Sequence, residues 1–174
     1  FNTGVLPVGV CAPNQWSSYY TVGSGWVFSG NPGYTAASNG RTAGSYTWID
    51  FSGTDTDPTL ETELVDLSTL ANPSLVFDYY SDLGTYVCAA NNTCIVEVFD
   101  GAAWNTIDTL NVNTAVWNTY IYSLSGLTFT DAAQVKFVGV SSGLSCDYYN
   151  DLLIDDVRLM EAPISGCMDP FASN

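Results

Sequence analysis

Residues 94–110 read C-I-V-E-V-F-D-G-A-A-W-N-T-I-D-T-L, and this stretch decides the fold class of the chain. Val96 and Val98 alternate with Glu97, which is the period of two that places apolar and polar side chains on opposite faces of a β-strand. The D-G pair at 100–101 is a turn former, and a second run of strand-forming residues follows it. The stretch therefore predicts two consecutive strands joined by a turn.

The same organisation recurs along the chain. Nine short runs rich in Val, Ile, Thr and aromatic residues are separated by turn formers, and no segment has a helical period. This predicts an all-β protein, an antiparallel β-sandwich, and nine strands in about 160 residues favour a jelly roll. The predicted strands are residues 25–29, 45–51, 59–67, 74–80, 94–99, 104–110, 117–124, 134–140 and 152–160.

The chain has few charged residues, and most of them are acidic. The 174 residues carry 18 acidic and three basic side chains, a formal net charge of −15, and charged residues make up 12% of the chain. Such a chain is repelled by nucleic acid and anionic lipid, and no apolar run reaches the ~18–20 residues of a membrane span, so we predict neither nucleic-acid binding nor membrane insertion. A surface poor in charge suits packing against other protein subunits, including copies of itself, or stacking on sugars.

The last predicted strand poses a burial problem. Residues 150–159 read N-D-L-L-I-D-D-V-R-L, and strict alternation places Asp155 and Asp156 on opposite faces, each among apolar side chains. A desolvated carboxylate must be paired, hydrogen-bonded, protonated or bound to a metal. The basic residues of the chain are Arg41, Lys136 and Arg158. A bound cation is therefore a candidate, with hydrogen bonding to loop amides as the alternative.

Five cysteines and the absence of histidine narrow the class of protein further. Cys88 and Cys94 flank a short turn-rich loop, so we predict a disulfide between them. Cys11 and Cys146 lie in loop-like segments near opposite ends of the domain and form a second candidate pair. Disulfides indicate export, so the predicted location is extracellular, at the cell surface or secreted, with reduced buried thiols as the alternative.

The strand pattern stops near residue 161. E-A-P-I-S-G at 161–166 is typical of a linker, and it leads into G-C-M-D-P-F-A-S-N at the end of the chain. We therefore predict one sandwich domain over residues 1–161, followed over residues 162–174 by a linker and the start of a small repeat. Cys167 has no partner in this scheme, which we take to indicate a module that continues beyond the last residue or a bond to another chain.

Catalysis is not expected. Without histidine the chain lacks the usual Ser-His-Asp and Cys-His arrangements, and no feature selects the carboxylate pair that a glycosidase requires. We predict a protein that is not an enzyme.

Aromatic residues make carbohydrate binding a better alternative, because five tryptophans and eleven tyrosines are available for stacking. Four tryptophans fall in predicted strands and are expected in the core, namely Trp26, Trp48, Trp104 and Trp117. The loop aromatics that could stack on glycans are Trp16, Tyr19, Tyr20, Tyr34, Tyr148 and Tyr149. Packing over the ends of the sandwich or against a neighbouring subunit is the other interpretation of these residues.

Several segments, taken in order, carry a family resemblance. They are F-N-T-G-V-L-P from Phe1, W-V-F from Trp26, G-S-Y-T-W-I-D-F from Gly44, L-E-T-E-L-V-D-L-S from Leu60, P-S-L-V-F-D-Y-Y from Pro73, V-E-V-F-D-G-A-A-W from Val96, V-K-F-V-G from Val135 and L-I-D-D-V-R-L from Leu153. Over residues 1–161 the chain resembles the MAM-like jelly rolls, and within them the cleaved-adhesin-type domains of exported Bacteroidetes surface proteins. The final segment resembles the first of the G-C-x-D-P-x-A-x-N repeats that follow such domains.

The resemblance implies a role and a metal site. Family members act in adhesion or assembly at the cell surface, so we expect a subunit of a filament, a stalk or a multi-domain adhesin, with a lectin-like carbohydrate-binding module as the alternative. In the family a carboxylate near the start, the aspartate of the G-x-Y-x-W-x-D segment and an aspartate of the closing strand can share a structural calcium ion. The corresponding positions are Asn2, Asp50, and Asp155 or Asp156. This chain has an amide, Asn2, in place of the first acid, and an amide oxygen is still a calcium ligand. Oxygen donors without histidine also favour calcium over zinc.

Two further motifs give weaker expectations. An acidic group around a T-D-T-D-P turn is a candidate for a second ion, with a solvated loop as the alternative. Its members are Asp55, Asp57, Glu61 and Glu63. The tripeptide D-T-L at 108–110 resembles the short Bacteroidetes acceptor for O-linked sugars, which marks Thr109 as a glycosylation candidate.

Overall fold

The computed structural model describes residues 16–20, 23–53, 58–130 and 132–162. Within these residues nine strands form two antiparallel sheets, which confirms the predicted β-sandwich. The strands are β1 Trp16–Tyr19, β2 Thr47–Ile49, β3 Thr59–Thr62, β4 Pro73–Ser81, β5 Thr93–Phe99, β6 Trp104–Leu110, β7 Asn118–Ser123, β8 Gln134–Val140 and β9 Leu152–Glu161.

The two sheets have five and four strands. Their orders are β1-β3-β8-β5-β6 and β2-β9-β4-β7, so β6 and β7 form the free edges on one side of the sandwich. Short 3-10 helices at Tyr34–Ser38 and Asp147–Tyr149 interrupt the loops. The part of the chain that the structure describes contains no helix with the length and apolar character of a membrane span.

The core lies between the sheets and is rich in aromatic side chains. Along β5 the buried positions alternate strictly, so Val96 and Val98 face inward. Phe77 of β4 meets Phe137 of β8 edge-on across the two layers, with ring centroids 5.0 Å apart. All of β4 is buried, because Tyr46 and other residues of the segment before β2 cover the outer face of its sheet.

The closing strand β9 departs from strict alternation. Its register with β4 shifts once, at a β-bulge where Asp156 has a φ of 51°. Ile154 before the bulge and Val157 after it both face the core. Strict alternation along residues 150–159 would place Val157 on the same face as Asp155. Val157 lies on the opposite face instead, because the additional residue of a bulge reverses the alternation that follows it.

Two segments near the start of the described chain differ from their predicted secondary structure. Residues 16–19, expected to be loop-like, form edge strand β1, which pairs with β3. Residues 25–29, expected to be a strand, contribute a single bridge between Val27 and Trp48. Gly25, with a φ of 64°, and Gly30, with a φ of 69°, bound this segment in conformations that do not continue a strand.

The disulfide pairing also differs from the prediction. Cys88 is bonded to Cys146, with the two Cα atoms 5.7 Å apart, and this excludes both predicted pairs. Cys94 is a free, buried thiol, because the alternation of β5 turns its side chain into the core and away from the loop that carries Cys88. Cys11 lies outside the described residues. A bond of this kind agrees with the expected extracellular location.

Candidate functional site

Three loops meet at one end of the sandwich, which we call the disulfide end. They are residues 82–92 between β4 and β5, 111–117 between β6 and β7, and 141–151 between β8 and β9. The strand registers bring the ends of β4, β6 and β8 to the same place. The Cys88–Cys146 bond joins two of these loops, so their backbones are held together covalently.

Four tyrosine rings pack against one another at the disulfide end, and we call them the tyrosine platform. Its members are Tyr34, Tyr86, Tyr148 and Tyr149. Tyr86 and Tyr149 are stacked, with centroids 3.8 Å apart and planes inclined by 4°. Tyr34 meets Tyr149 edge-on at 4.9 Å. Since Tyr34 is 51% exposed and Tyr86 40% exposed, the cluster presents aromatic surface to solvent.

The Tyr34 side of the platform is fixed by contacts between the first 3-10 helix and the β4–β5 loop. Tyr34 has a φ of 47°, a conformation that is uncommon for a residue with a side chain. Next to it, the Thr35 hydroxyl donates a hydrogen bond of 2.6 Å to the Asp82 carbonyl. Gly84, with a φ of 58°, lies so close that an added Cβ would be 2.2 Å from the Thr35 methyl group.

The Tyr148 and Tyr149 side is fixed by a buried amide network. Asn92 donates from its side-chain nitrogen to the carbonyl oxygens of Asp147, at 2.8 Å, and Asn150, at 2.7 Å. The Asn150 amide in turn donates to the Ser81 hydroxyl at 2.7 Å. A buried polar network whose members are bonded to one another makes the surrounding loop rigid.

Three of the six predicted stacking residues belong to the platform, namely Tyr34, Tyr148 and Tyr149. Tyr86 is the member that the sequence prediction missed. Its only sequence signal is its place in a glycine-containing loop two residues before Cys88, and that signal does not show which other rings it meets.

The other predicted stacking residues lie elsewhere. Trp16 is in β1 and packs against the core, with its ring 6.4 Å from that of Phe137. Tyr19 ends β1 and Tyr20 follows it, and they are 54% and 51% exposed. The described ring contacts do not connect these three residues to the tyrosine platform. Of the four tryptophans expected in the core, Trp26 is buried, with 3% of its surface exposed. The expectation is wrong for the other three, which are only partly buried, namely Trp48, Trp104 and Trp117.

A pair of carboxyl groups lies where β2 meets β9. The register pairs Ile49 with Leu152, so the next residues along the ladder, Asp50 and Asp151, are opposite each other. Asp151 is 0% exposed, and no described N–H or O–H donor lies within hydrogen-bond distance of either of its oxygens. Burial and the charge of the nearby Asp50 carboxyl raise the pKa of Asp151 to about 8, and a proton taken up there can be shared with Asp50 as a hydrogen bond between the two carboxyl groups.

This pair fits a calcium ion. A buried carboxylate without a donor partner requires a proton or a cation, and two carboxylates supply the oxygen ligands that calcium prefers. Asp50 also lines a pocket of about 180 Å³ with Trp48 and Ser52. Among the described residues, no group of three or more acidic, Cys or His side chains is placed so that it could hold a metal ion. Further ligands would therefore be hydroxyl, carbonyl and water oxygens.

The closing-strand residues predicted to share the ion with Asp50 have other partners. Asp155 is ion-paired with Arg41, which also binds Asp78. Asp156 is paired with Arg158 at 2.9 Å. The residue opposite Asp50 is thus Asp151, whereas Asp155 and Asp156 are paired with basic residues.

The remaining predicted residues are placed as follows. Asn2, Asp55 and Asp57 lie outside the described residues. Glu61 is in β3 and directly opposite Lys136, so it faces a basic strand neighbour. Thr109 is exposed on the edge strand β6.

Comparison with known proteins gives structural counterparts but no sequence family. No protein-family model matches the chain, and no curated protein matches its sequence. The K1 cleaved adhesin domain of Lys-gingipain from Porphyromonas gingivalis W83 superposes with a TM-score of 0.61 and 15% identity, covering 91% of this chain and 99% of that domain.

Two carbohydrate-binding structures have the same fold. TmCBM61, solved in complex with beta-1,4-galactotriose, gives a TM-score of 0.53 at 12% identity and covers 88% of this chain and 91% of its own. The xylan-binding domain of family 22 gives 0.53 at 15%, with 93% and 97% covered. The fold is therefore the β-sandwich that adhesin domains and carbohydrate-binding modules share.

Proposed function

We propose that this chain is a non-catalytic extracellular adhesion module and that its tyrosine platform binds carbohydrate. The observation that carries the proposal is the packing of four tyrosine rings, three of them on loops joined by a disulfide, with two of the four rings at least 40% exposed. Tyrosine offers a rigid apolar face and a polar hydroxyl, and it loses little conformational entropy on binding. An aromatic surface on loops supported by a rigid scaffold is typical of a binding site.

The fold comparison supports the ligand class. One structural counterpart is named as an adhesin domain, and two are named for carbohydrate binding. A sugar ring has an apolar face that matches an aromatic ring, and its hydroxyl groups match the tyrosine hydroxyls. A net charge of −15 disfavours an acidic ligand, so a neutral glycan fits this protein best.

A glycan array tests this proposal. We expect the full chain to bind a set of neutral glycans and the Tyr149→Ala variant to lose that binding, because Tyr149 contacts all three other rings of the platform. Tyr19→Ala is the control, since it removes an exposed tyrosine ring outside the platform. Silence of the wild-type protein on the array would contradict the proposal, as would equal loss in both variants.

We also propose that Asp50 and Asp151 hold a structural calcium ion. The support is the buried Asp151 carboxylate, which has no described donor, and its position opposite Asp50. Asn2, outside the described residues, stays a predicted further ligand. The basic residues do not neutralise the Asp50–Asp151 pair, so a bound ion would supply the positive charge there.

Self-assembly into a filament or stalk is the second candidate function. Its support is β7, whose sequence N-T-Y-I-Y-S has no charge, which lies at a free sheet edge and which leaves Ile121 68% exposed. Edge strands without charge are templates for pairing with another chain. Electron microscopy of the native material should then show filaments, and Ile121→Lys should dissolve them while Val112→Lys, in the β6–β7 loop, should not. Monomers in the wild-type sample would contradict this function.

A further inference from the structure

Tyr86 and Tyr149 are stacked more closely than aromatic side chains usually are. Their ring centroids are 3.8 Å apart and their planes are inclined by 4°. Paired rings generally prefer offset or edge-on arrangements, with centroids about 4.5–7 Å apart. Carbon atoms are in van der Waals contact at about 3.5–4.0 Å, so these two rings overlap face to face with little offset. The ring carbons of Tyr86 therefore lie against the π face of Tyr149.

The loops that carry the two rings hold them in this arrangement. Tyr86 lies two residues before Cys88 and Tyr149 three residues after Cys146, so the disulfide joins the loops close to both rings. The Tyr86 amide donates to the Leu83 carbonyl at 3.0 Å, and the Tyr149 amide donates to the Cys146 carbonyl at 3.2 Å. The relative position of the two phenol groups is thus fixed before any reaction begins.

Two phenol groups in face-to-face contact are suited to oxidative coupling. A tyrosine that loses one electron and one proton becomes a phenoxyl radical, and its unpaired electron is partly on the ring carbons next to the one that carries the oxygen. Two such radicals form a carbon–carbon bond when these carbons meet through their π faces. The hydrogen on each bonded carbon then moves as a proton to the phenolic oxygen, which restores both aromatic rings. The pair as a whole gives up two electrons and two protons, which reduce one molecule of hydrogen peroxide to two molecules of water.

The other ring contacts of the tyrosine platform do not have this geometry. Tyr34 meets Tyr86 at 85° and Tyr149 at 84°, so in each contact one ring presents its C–H edge instead of its π face. The rings of Tyr148 and Tyr149 are 4.2 Å apart but inclined by 47°. Since Tyr86 is 40% exposed, a dissolved one-electron oxidant can reach the stacked pair.

We propose that Tyr86 and Tyr149 are a modification site, at which hydrogen peroxide and a catalyst of the peroxidase class form a dityrosine bond. The bond links the β4–β5 loop to the β8–β9 loop a second time, beside the disulfide. It holds these loops together where thiols reduce the Cys88–Cys146 bond. The site does not depend on the proposed carbohydrate binding, because the geometry of the two rings alone defines it.

Treatment of the disulfide-bonded full chain with a peroxidase and hydrogen peroxide tests the proposal. We expect dityrosine fluorescence and a monomer whose intact mass is lower by two hydrogen atoms. Trypsin cleaves after the three basic residues, which places Tyr86 in residues 42–136 and Tyr149 in residues 137–158. After reduction of the disulfide, the digest should therefore still contain these two peptides joined to each other.

Tyr86→Phe and Tyr149→Phe are the deciding variants, because phenylalanine keeps the stacked ring but has no hydroxyl group to oxidise. A positioned pair reacts at a high effective concentration, so we expect either variant to lower the yield of the joined peptides at least about tenfold. Tyr148→Phe is the matched control and should leave that yield unchanged. A wild-type digest without the joined peptides, dityrosine found only between two molecules, or an undiminished yield in either deciding variant would overturn the inference.

Discussion

Asp151 lies opposite Asp50 at the end of the β2–β9 ladder, and the three basic side chains of the chain are bound elsewhere. Arg41 pairs with two aspartates of the four-stranded sheet, and Arg158 pairs with its own strand neighbour Asp156. Lys136 pairs with Glu97 at 2.6 Å. Among the described buried acids, Asp78 and Asp155 are therefore neutralised by Arg41, whereas the Asp151 carboxylate requires a proton or an ion from solution.

Calcium should stabilise the protein, and more so at higher pH. The pKa of Asp151, about 8 in the metal-free folded state, lies above its value of about 4 in an unfolded chain. The folded state therefore binds the additional proton between these values, and the metal-free protein loses stability as the pH rises through that window. A native-state ligand adds stability by mass action. We expect EDTA to lower the Tm by several degrees at about pH 8 and by much less at about pH 5.

Asp151→Asn is the control for this melting experiment. The variant has no carboxylate to desolvate, so its melting temperature should depend little on EDTA and lose its fall between about pH 5 and 8. A calcium effect of equal size in the wild type and the variant would place the ion elsewhere. An unchanged wild-type melt, with no metal by elemental analysis, would contradict the site itself.

Arg41 should be the most costly basic residue to remove. Its guanidinium binds Asp78 and Asp155, whose side chains are only 12% and 11% exposed, and lies 3.9 Å above the Trp117 ring. Arg41→Ala leaves two nearly buried carboxylates without a cation, so we expect a loss of about 2–4 kcal/mol in the free energy of unfolding, measured by urea denaturation.

Arg158→Ala is the matched comparison for Arg41. Arg158 and Asp156 are each 28% exposed and form a single pair, so the expected loss is about 1 kcal/mol or less. Equal losses of unfolding free energy in the two variants would show that burial of the Arg41 ion pairs adds nothing to stability.

The Cys88–Cys146 bond closes a segment with a sequence separation of 58. Replacing both residues by serine should cost about 2–4 kcal/mol and loosen the tyrosine platform, because the bond joins two of its loops. Peptide mapping without reduction should recover the Cys88–Cys146 pair and an unlinked Cys94. A Cys88–Cys94 peptide would contradict the structure.

Gly84→Ala should disturb the tyrosine platform more than the strain of a positive φ at residue 84 alone would. The new Cβ would lie 2.2 Å from the Thr35 methyl group and force apart the loops that place Tyr34 and Tyr86. Gly40→Ala is the control, because Gly40 also has a positive φ, of 85°, but nothing lies within 4 Å of an added Cβ. We expect the near-ultraviolet circular dichroism of the tyrosines to change in the first variant only.

The strand pattern was sufficient to predict the sandwich, and the physical reason is visible in β5 and β8. Both strands are half-buried, so their sequences alternate, and their limits are close to the predicted ones. β1 was missed because W-S-S-Y has no β-branched residue and is exposed at every second position. Its pairing with β3 is a tertiary contact that no local pattern indicates.

The candidate site was less predictable, because it depends on register and on which loops meet. The period of two predicted that Asp155 and Asp156 lie among apolar neighbours. In the structure both aspartates have basic partners, because β9 has a bulge at Asp156 and because Arg41 extends from a distant loop to Asp155. Asp151 became the ligand candidate only through its position opposite Asp50. Tyr86 lies beside the predicted rings because the Cys88–Cys146 disulfide joins its loop to theirs. The spacing of the cysteines did not predict that pairing.

The central claim is that carbohydrate binds on the tyrosine platform, and nuclear magnetic resonance of ring-labelled tyrosines tests it most directly. The chain has eleven tyrosines, which report separately on the platform, the core and β1. On titration with a glycan selected from the array, the ring signals of Tyr34, Tyr86, Tyr148 and Tyr149 should shift together, while that of the buried Tyr79 stays unchanged. Shifts confined to Tyr19 and Tyr20, or no shift at any ring, would contradict the account.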